Sequence, residues 1–131
     1  MSARLCLIVD DSRIIRKVAR RIVEGLGFDV VEAGDGVEAI EQCIQSMPDL
    51  ILLDWRMPMM DGMDFLDQLK QMADGDHPKI LFCSMETDPA HIARALAAGA
   101  DDYVMKPFDG DILQSKIDEI GALQTGLGHA A

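Results

Sequence analysis

Aromatic side chains are scarce in this 131-residue chain, at 5% of positions; cysteines number three, Lys and Arg together 12, and no apolar stretch continues for long. Each shortage excludes a class of protein. Without an uninterrupted apolar segment of bilayer length, no membrane span is expected. Cys6, Cys43 and Cys83 form no CxxC pair and have no histidine close in sequence, which argues against a disulfide framework and a zinc site and leaves them as reduced core residues. Twelve basic against 23 acidic residues give a net charge of −11, which opposes non-specific attraction to nucleic acid phosphates and anionic membranes. Such a charge selects cations and basic protein surfaces as companions. Residues 1–4 carry no basic segment leading into an apolar stretch and a cleavage site, so no secretion signal is expected and a cytoplasmic location is. Internal repeats, low-complexity tracts and linkers are also lacking.

What is present is a hydrophobic share of 49%, ample for a core at this length. The expectation is one domain over residues 1–123 and a frayed tail over 124–131. Short apolar runs alternate with longer segments of helical period from end to end, the pattern of a parallel sheet. Leu5–Val9, Leu50–Leu53 and Ile80–Cys83 are nearly continuous apolar runs, as strands covered on both faces require, while Val30–Ala33 and Tyr103–Met105 are weaker. The first helix has Ser12 as N-cap, a stripe of Ile14, Ile15, Val18, Ile22 and Leu26, and Gly25 and Gly27 as stop signals. The second carries Val37, Ile40 and Ile44; the third, after Gly62, Phe65, Leu66 and Leu69; the fourth, from about Asp88-Pro89, Ile92 and Leu96; the fifth, Ile112, Ile117 and Ile120. The fold class is α/β, a doubly wound five-stranded parallel sheet with five helices.

Ligands of open α/β sheets bind where the carboxyl ends of the strands meet the following loops. Those ends read Asp10-Asp11, Asp54, Ser84 and Lys106-Pro107. Three carboxylates brought together repel, so the cluster needs a cation. Hard oxygen donors, too few for an all-protein calcium cage and without sulfur or imidazole, suit Mg²⁺, which keeps waters and recruits a phosphate oxygen. A phosphoryl group is thereby implied, with Lys106 and the Ser84 hydroxyl to neutralise its charge and a carboxylate as nucleophile.

Through Leu7-Ile-Val-Asp-Asp-Ser12, Leu52-Leu-Asp-Trp-Arg-Met-Pro-Met-Met-Asp-Gly62, Ser84 and Tyr103-Val-Met-Lys-Pro-Phe108, the chain resembles the response-regulator receiver domains in their stand-alone, CheY-like form, over about residues 4–123. The resemblance implies the flavodoxin-like sheet order 2-1-3-4-5. It implies that Asp54 takes a phosphoryl group, as an acyl phosphate, from a sensor histidine kinase or a histidine phosphotransfer protein. Mg²⁺, or Mn²⁺ in its place, would be held by Asp11, Asp54 and the backbone carbonyl of Arg56, with Asp10 acting mostly through a metal-bound water. Lys106 would contact the phosphoryl group, next to a cis bond to Pro107. Ser84 would swing its hydroxyl towards that group as Tyr103 passes from exposed to buried. The fourth helix, fifth strand and fifth helix would then change affinity for a target, such as a flagellar motor component or another signalling protein. Such a domain is a phosphoacceptor with slow autodephosphorylation, not an enzyme acting on other substrates.

Departures from the family pattern attach to the same site. Ser84 replaces the commoner threonine, losing a methyl that stiffens the rotamer. Met85 stands where a small residue is usual and threatens the inward movement of its loop. Arg56 and Glu86 occupy positions that tune hydrolysis of the acyl phosphate, and an ion pair between them would gate the attacking water. Several residues keep two readings. Tyr103 is switch or strand filling, Trp55 flanks the metal or packs locally, and Arg13, Arg16, Lys17, Arg20 and Arg21 form a solvated face or a kinase-docking one. The methionines fill and edge the core or form an adaptable surface. Asp61-Gly62 is a turn and helix cap, and His77, His91 and His129 receive no metal or catalytic role.

Rival functions meet specific obstacles. A phosphatase of the haloacid dehalogenase type needs a second aspartate where Arg56 stands, and a flavodoxin-like mononucleotide carrier needs a Ser/Thr/Gly-rich loop after the first strand. A receiver binding a cyclic dinucleotide needs an arginine-rich output face, and that region has Arg94 alone. A receiver acting as a phosphate sink, or as an adaptor without phosphorylation, stays open.

Overall fold

The computed structural model describes residues 4–85 and 88–122. Five strands, β1 (Leu5–Val9), β2 (Asp29–Ala33), β3 (Leu50–Asp54), β4 (Lys79–Ser84) and β5 (Asp102–Met105), alternate with five helices, α1 (Arg13–Gly25), α2 (Gly36–Gln45), α3 (Gly62–Lys70), α4 (Pro89–Ala97) and α5 (Gly110–Glu119). All strand pairs are parallel and the sheet order is β2-β1-β3-β4-β5, as the resemblance implies. The expected tail over 124–131 lies outside the described residues.

Period-two alternation in the central strands feeds two separate cores. Leu7, Val9, Ile51, Leu53, Ile80 and Phe82 face Ala39 and Cys43 of α2, Phe65, Leu66 and Leu69 of α3, and Ala95 of α4. Cys6, Ile8, Leu50, Leu52, Leu81 and Cys83 face Ala19 and Val23 of α1 and Leu113 and Ile117 of α5. Every residue of β3 is buried, which explains why its sequence is apolar without alternation until Asp54. All three cysteines are free and buried, and burial pushes the Cys43 thiol up to about 11 and that of Cys83 to about 12.

Each helix starts on a side-chain cap. Ser12 accepts from the Ile15 N–H, and Asp35, Asp61, Asp88 and Asp109 cap α2 to α5 in turn, which assigns four of the acidic residues to backbone donors. Asp61 is thus the helix cap that the sequence indicates.

The apolar stripes hold for α3, and Ile22, Leu26, Ile40, Ile92, Ile117 and Ile120 pack inward as expected, but other members need correction. Ile14 is 74% exposed, Ile44 70%, and Val18, Val37, Leu96 and Ile112 are also exposed. The buried arcs of α1, α2 and α4 centre instead on Ala19, Ala39, Cys43 and Ala95. Small side chains let these helices approach the sheet closely, so of the large apolar residues only Val23 is fully buried there, Ile22, Leu26, Ile40 and Ile92 pack at the margin, and the exposed ones point away. On α1 the helix also turns Arg16 and Arg20 towards β2, where both meet Glu32. That rotation carries Ile14 and Val18 to the opposite flank.

Candidate functional site

The carboxyl ends of β1, β3, β4 and β5 open onto a cleft of about 630 Å³ lined by Asp10, Asp11, Asp54, Arg56, Ser84, Met85, Lys106 and Pro107, with Ser12 and Ile15 from the start of α1. Asp54 and Ser84 are the last residues of their strands, so the register that pairs Asp54 with Cys83 and Ser84 with Met105 sets the spacing of the cleft walls. Carboxylate oxygens of Asp10, Asp11 and Asp54 lie within 4.8 Å of one another, Asp10 and Asp54 buried and Asp11 exposed. Three hard oxygen donors gathered beside open space fit a divalent cation that retains water.

Lys106 bridges the cluster from the far side. Its Nζ donates to Asp10 Oδ2 at 2.5 Å and lies 3.2 Å from Asp54 Oδ1, and its backbone N–H donates to the Ser84 carbonyl at 2.9 Å. The Lys106–Pro107 peptide is cis. Burial works against the ammonium charge, but the hydrogen bond to Asp10 and the charges of Asp54 and Asp10 outweigh it and hold Lys106 above its ordinary range. Asp54 moves the other way for a carboxylate. Burial, then the Asp10 charge, push it up to about 6 against the opposing pull of Lys106. The cluster therefore holds more negative charge than its one ammonium comfortably offsets.

Asp10 is fixed on every side. Its N–H donates to the Ala33 carbonyl at 3.1 Å, its Oδ1 accepts from the Ser12 N–H at 2.8 Å, and its carbonyl accepts from Arg16 Nη1 at 2.7 Å. Arg16 in turn donates from Nε to Glu32 at 2.9 Å. Burial would raise the Glu32 carboxyl, yet the hydrogen bonds from Arg20 and Arg16 hold it below the usual range, so this support stays charged.

The basic cluster of α1 is thereby divided. Arg16 and Arg20 are posts between α1 and β2, while Arg13, Lys17 and Arg21 are exposed beside the exposed Ile14 and Val18. Sequence reasoning did not give Arg16 a place at the site. The missing signal is the register pairing Ile8 with Glu32, which a one-dimensional reading does not contain.

Met85 and Arg56 both line the cleft and are exposed, Met85 at 73%. Glu86 lies outside the described residues, and so does its pairing with Arg56. Tyr103 is buried, within the core shared with α4. Trp55 is settled as a packing residue, not one exposed beside the cleft. It is 7% exposed, with Phe82 on one side at 5.4 Å between ring centroids and His91 of α4 stacked on it at 3.3 Å. His77 sits away from the cleft, its Nε2 2.8 Å from Asp49 Oδ1 just before β3, and His129 lies outside the described residues.

Comparison with known proteins adds to this geometry. The family model described as the response regulator receiver domain matches residues 6–118. The chemotaxis protein CheY of Bacillus subtilis is 36% identical over 118 residues, covering 89% of this chain and 97% of that protein. A probable transcriptional regulator, ycf27, of Guillardia theta is 40% identical over 111 residues, which are 85% of this chain but 42% of that longer protein. Among solved structures, the chemotaxis protein CheY4 of Vibrio cholerae superposes with a TM-score of 0.86 at 28% identity, over 91% of this chain and 99% of that one. Among the described residues no helix is long and apolar enough to cross a membrane.

Proposed function

The chain belongs to the response regulator receiver domains, CheY-like members of two-component signalling, and from that premise we propose that Asp54 is the phosphoacceptor of a Mg²⁺-dependent transfer. The observation that carries this reading is the cluster of Asp10, Asp11 and Asp54 within 4.8 Å of one another, with Lys106 reaching two of the three.

In this reading an Asp54 oxygen attacks the phosphorus of a phosphohistidine. The new O–P bond forms as the P–N bond breaks, and the imidazole leaves with the bond pair and takes up a proton from solvent. Asp54, pushed up only to about 6, is ionised and nucleophilic at neutral pH. Asp11, Asp54 and the Arg56 carbonyl would hold the cation, with Asp10 contributing mostly through a metal-bound water. When bound, Mg²⁺ offsets the carboxylate repulsion and the charge on the equatorial phosphoryl oxygens. Lys106 Nζ exchanges part of its contact with Asp54 for a phosphoryl oxygen, and the Ser84 hydroxyl donates to another. Water later cleaves the acyl phosphate slowly, at a rate tuned by Arg56, Met85 and Glu86.

The donor is a sensor histidine kinase or histidine phosphotransfer protein in the cytoplasm. Exposed Ile14 and Val18 flanked by Arg13, Lys17 and Arg21 beside the cleft support docking of an acidic-rimmed helix on α1. The output is a change in affinity for a downstream signalling protein at the α4, β5 and α5 surface, with Ser84 and Tyr103 linking it to the site.

The test is intact mass after incubation with acetyl phosphate, with and without Mg²⁺, for wild type and Asp54→Asn. A Mg²⁺-dependent gain of one phosphoryl group in wild type, absent from Asp54→Asn, is expected. No gain from this donor or from a kinase would leave the chain an adaptor that works without phosphorylation.

A further inference from the structure

We propose that His91 is a positioning residue, clamping the first turn of α4 onto Trp55 and thereby relaying occupancy of the acidic cleft to the α4 surface. The inference rests on the phosphoacceptor reading for what occupies the cleft, and on separate observations for the relay.

Trp55 follows Asp54 directly, and its backbone has little freedom. Its carbonyl accepts from the Gly62 N–H at 2.8 Å. A Cβ on Gly62 would run into the Asp54 carbonyl and stand 3.1 Å from the Trp55 Cα. Shifts at Asp54 therefore pass to the indole instead of dissipating in a loop.

The indole is closed between two elements. Phe82 of β4 lies tilted against it at 48°, and His91 covers it at 28° with centroids 3.3 Å apart. Arg94, three residues further along α4, places its Cζ 5.6 Å from the Trp55 ring centre. One turn of α4 thus holds Trp55 with a flat ring and a cation.

Two further features make this stack a substantial part of the hold on α4. The His91 Nε2 is buried and has no hydrogen-bond partner among the described residues, so on that side the imidazole is held by ring contact. Ala95 is the one fully buried residue of α4 and Leu96 is 44% exposed, so besides the stack the helix is held to the core mainly by Ala95 and the partly buried Ile92. The chain runs from Ser84 at the cleft to Asp88 at the α4 cap within four residues. The stack ties this turn of α4 to the end of β3 through Trp55, so a displacement at Asp54 reaches α4 by way of the indole.

The chain contains a single tryptophan, so its emission reports the surroundings of Trp55, and the His91 variants separate the stack from the cleft. The experiment titrates beryllofluoride into the full chain at fixed Mg²⁺, reading bound fluoride by ¹⁹F NMR and Trp55 by fluorescence and near-UV circular dichroism. In wild type the emission should shift on saturation. His91→Ala should start red-shifted, because the ring loses its cover, and should lose at least half of the ligand-induced shift while ¹⁹F NMR still shows beryllofluoride bound. His91→Phe, which restores a flat ring without the imidazole nitrogens, should recover it. An unchanged starting spectrum and full response in His91→Ala would overturn the proposal, since the signal would then come straight from the cleft. A folded His91→Phe that behaves like His91→Ala would overturn it equally. No bound beryllofluoride in wild type would instead remove the phosphoacceptor reading, and the relay with it.

Discussion

At Asp54 the physical argument yields a pH dependence whose sign can be worked out. Its carboxyl is pushed from an ordinary 3.8 up to about 6, so folding disfavours its ionised form. Below about pH 4 the group is protonated in both folded and unfolded chains and costs nothing; the cost grows between pH 4 and 6 and is complete above. Asp54→Asn should therefore stabilise the metal-free protein at pH 7.5 by about 1–2 kcal/mol after allowance for solvent screening, and the gain should vanish near pH 4. Thermal or urea denaturation across that range, in chelator, checks both the sign and the window. Asp54 was legible as an acid ending an apolar run, and Ser84 and Lys106 as polar residues at equivalent places. Arg16 was not. Its counterion Glu32 lies 16 residues away and comes alongside only through the pairing of β1 with β2.

Among the elements, the close approach of α3 to the end of β3 is a demanding contact that bears directly on the site. Gly62 starts α3 where a Cβ would overlap the Asp54 carbonyl and lie 2.9 Å from the Phe82 ring. Backbone cannot yield as a flexible side chain can. Gly62→Ala is expected to destabilise the fold by about 2–4 kcal/mol, read from the urea midpoint, and to weaken Mg²⁺ binding by moving Asp54. By contrast Gly25→Ala meets open space and should be near neutral by the same measurement. The strands and the existence of five helices were legible because apolar runs, caps and stop residues are local signals. The centres of the buried faces of α1, α2 and α4 were legible only in part: Ile22, Leu26, Ile40 and Ile92 pack inward, but Ile14, Val18, Ile44 and Leu96 do not. Hydrophobicity ranks Ile14 and Ile44 above Ala19 and Ala39, but packing distance against a sheet favours the smaller side chain.

For the molecule as a whole, a net charge of −11 and three carboxylates at the carboxyl ends of the central strands mean that a bound cation acts on global stability. At a hundredfold excess over its Kd, Mg²⁺ should add about 2.7 kcal/mol. Arg16→Ala should shift the Mg²⁺ dependence of Tm to higher concentration, because the Asp10 carbonyl loses its fixed donor, and Arg16→Lys should restore part of it. Equal Mg²⁺ responses in wild type and Arg16→Ala would show that the Asp10 turn holds itself. The sequence by itself determined the alternation of strands and helices, the caps and the residues placed at the strand ends, because these depend on neighbours a few positions apart. Tertiary structure alone decided that Arg16 braces Asp10, that Trp55 lies under His91, and that Ile14 and Val18 face outward. Each of those outcomes is a contact between segments whose separation along the chain carries no signal until the sheet order and register are fixed.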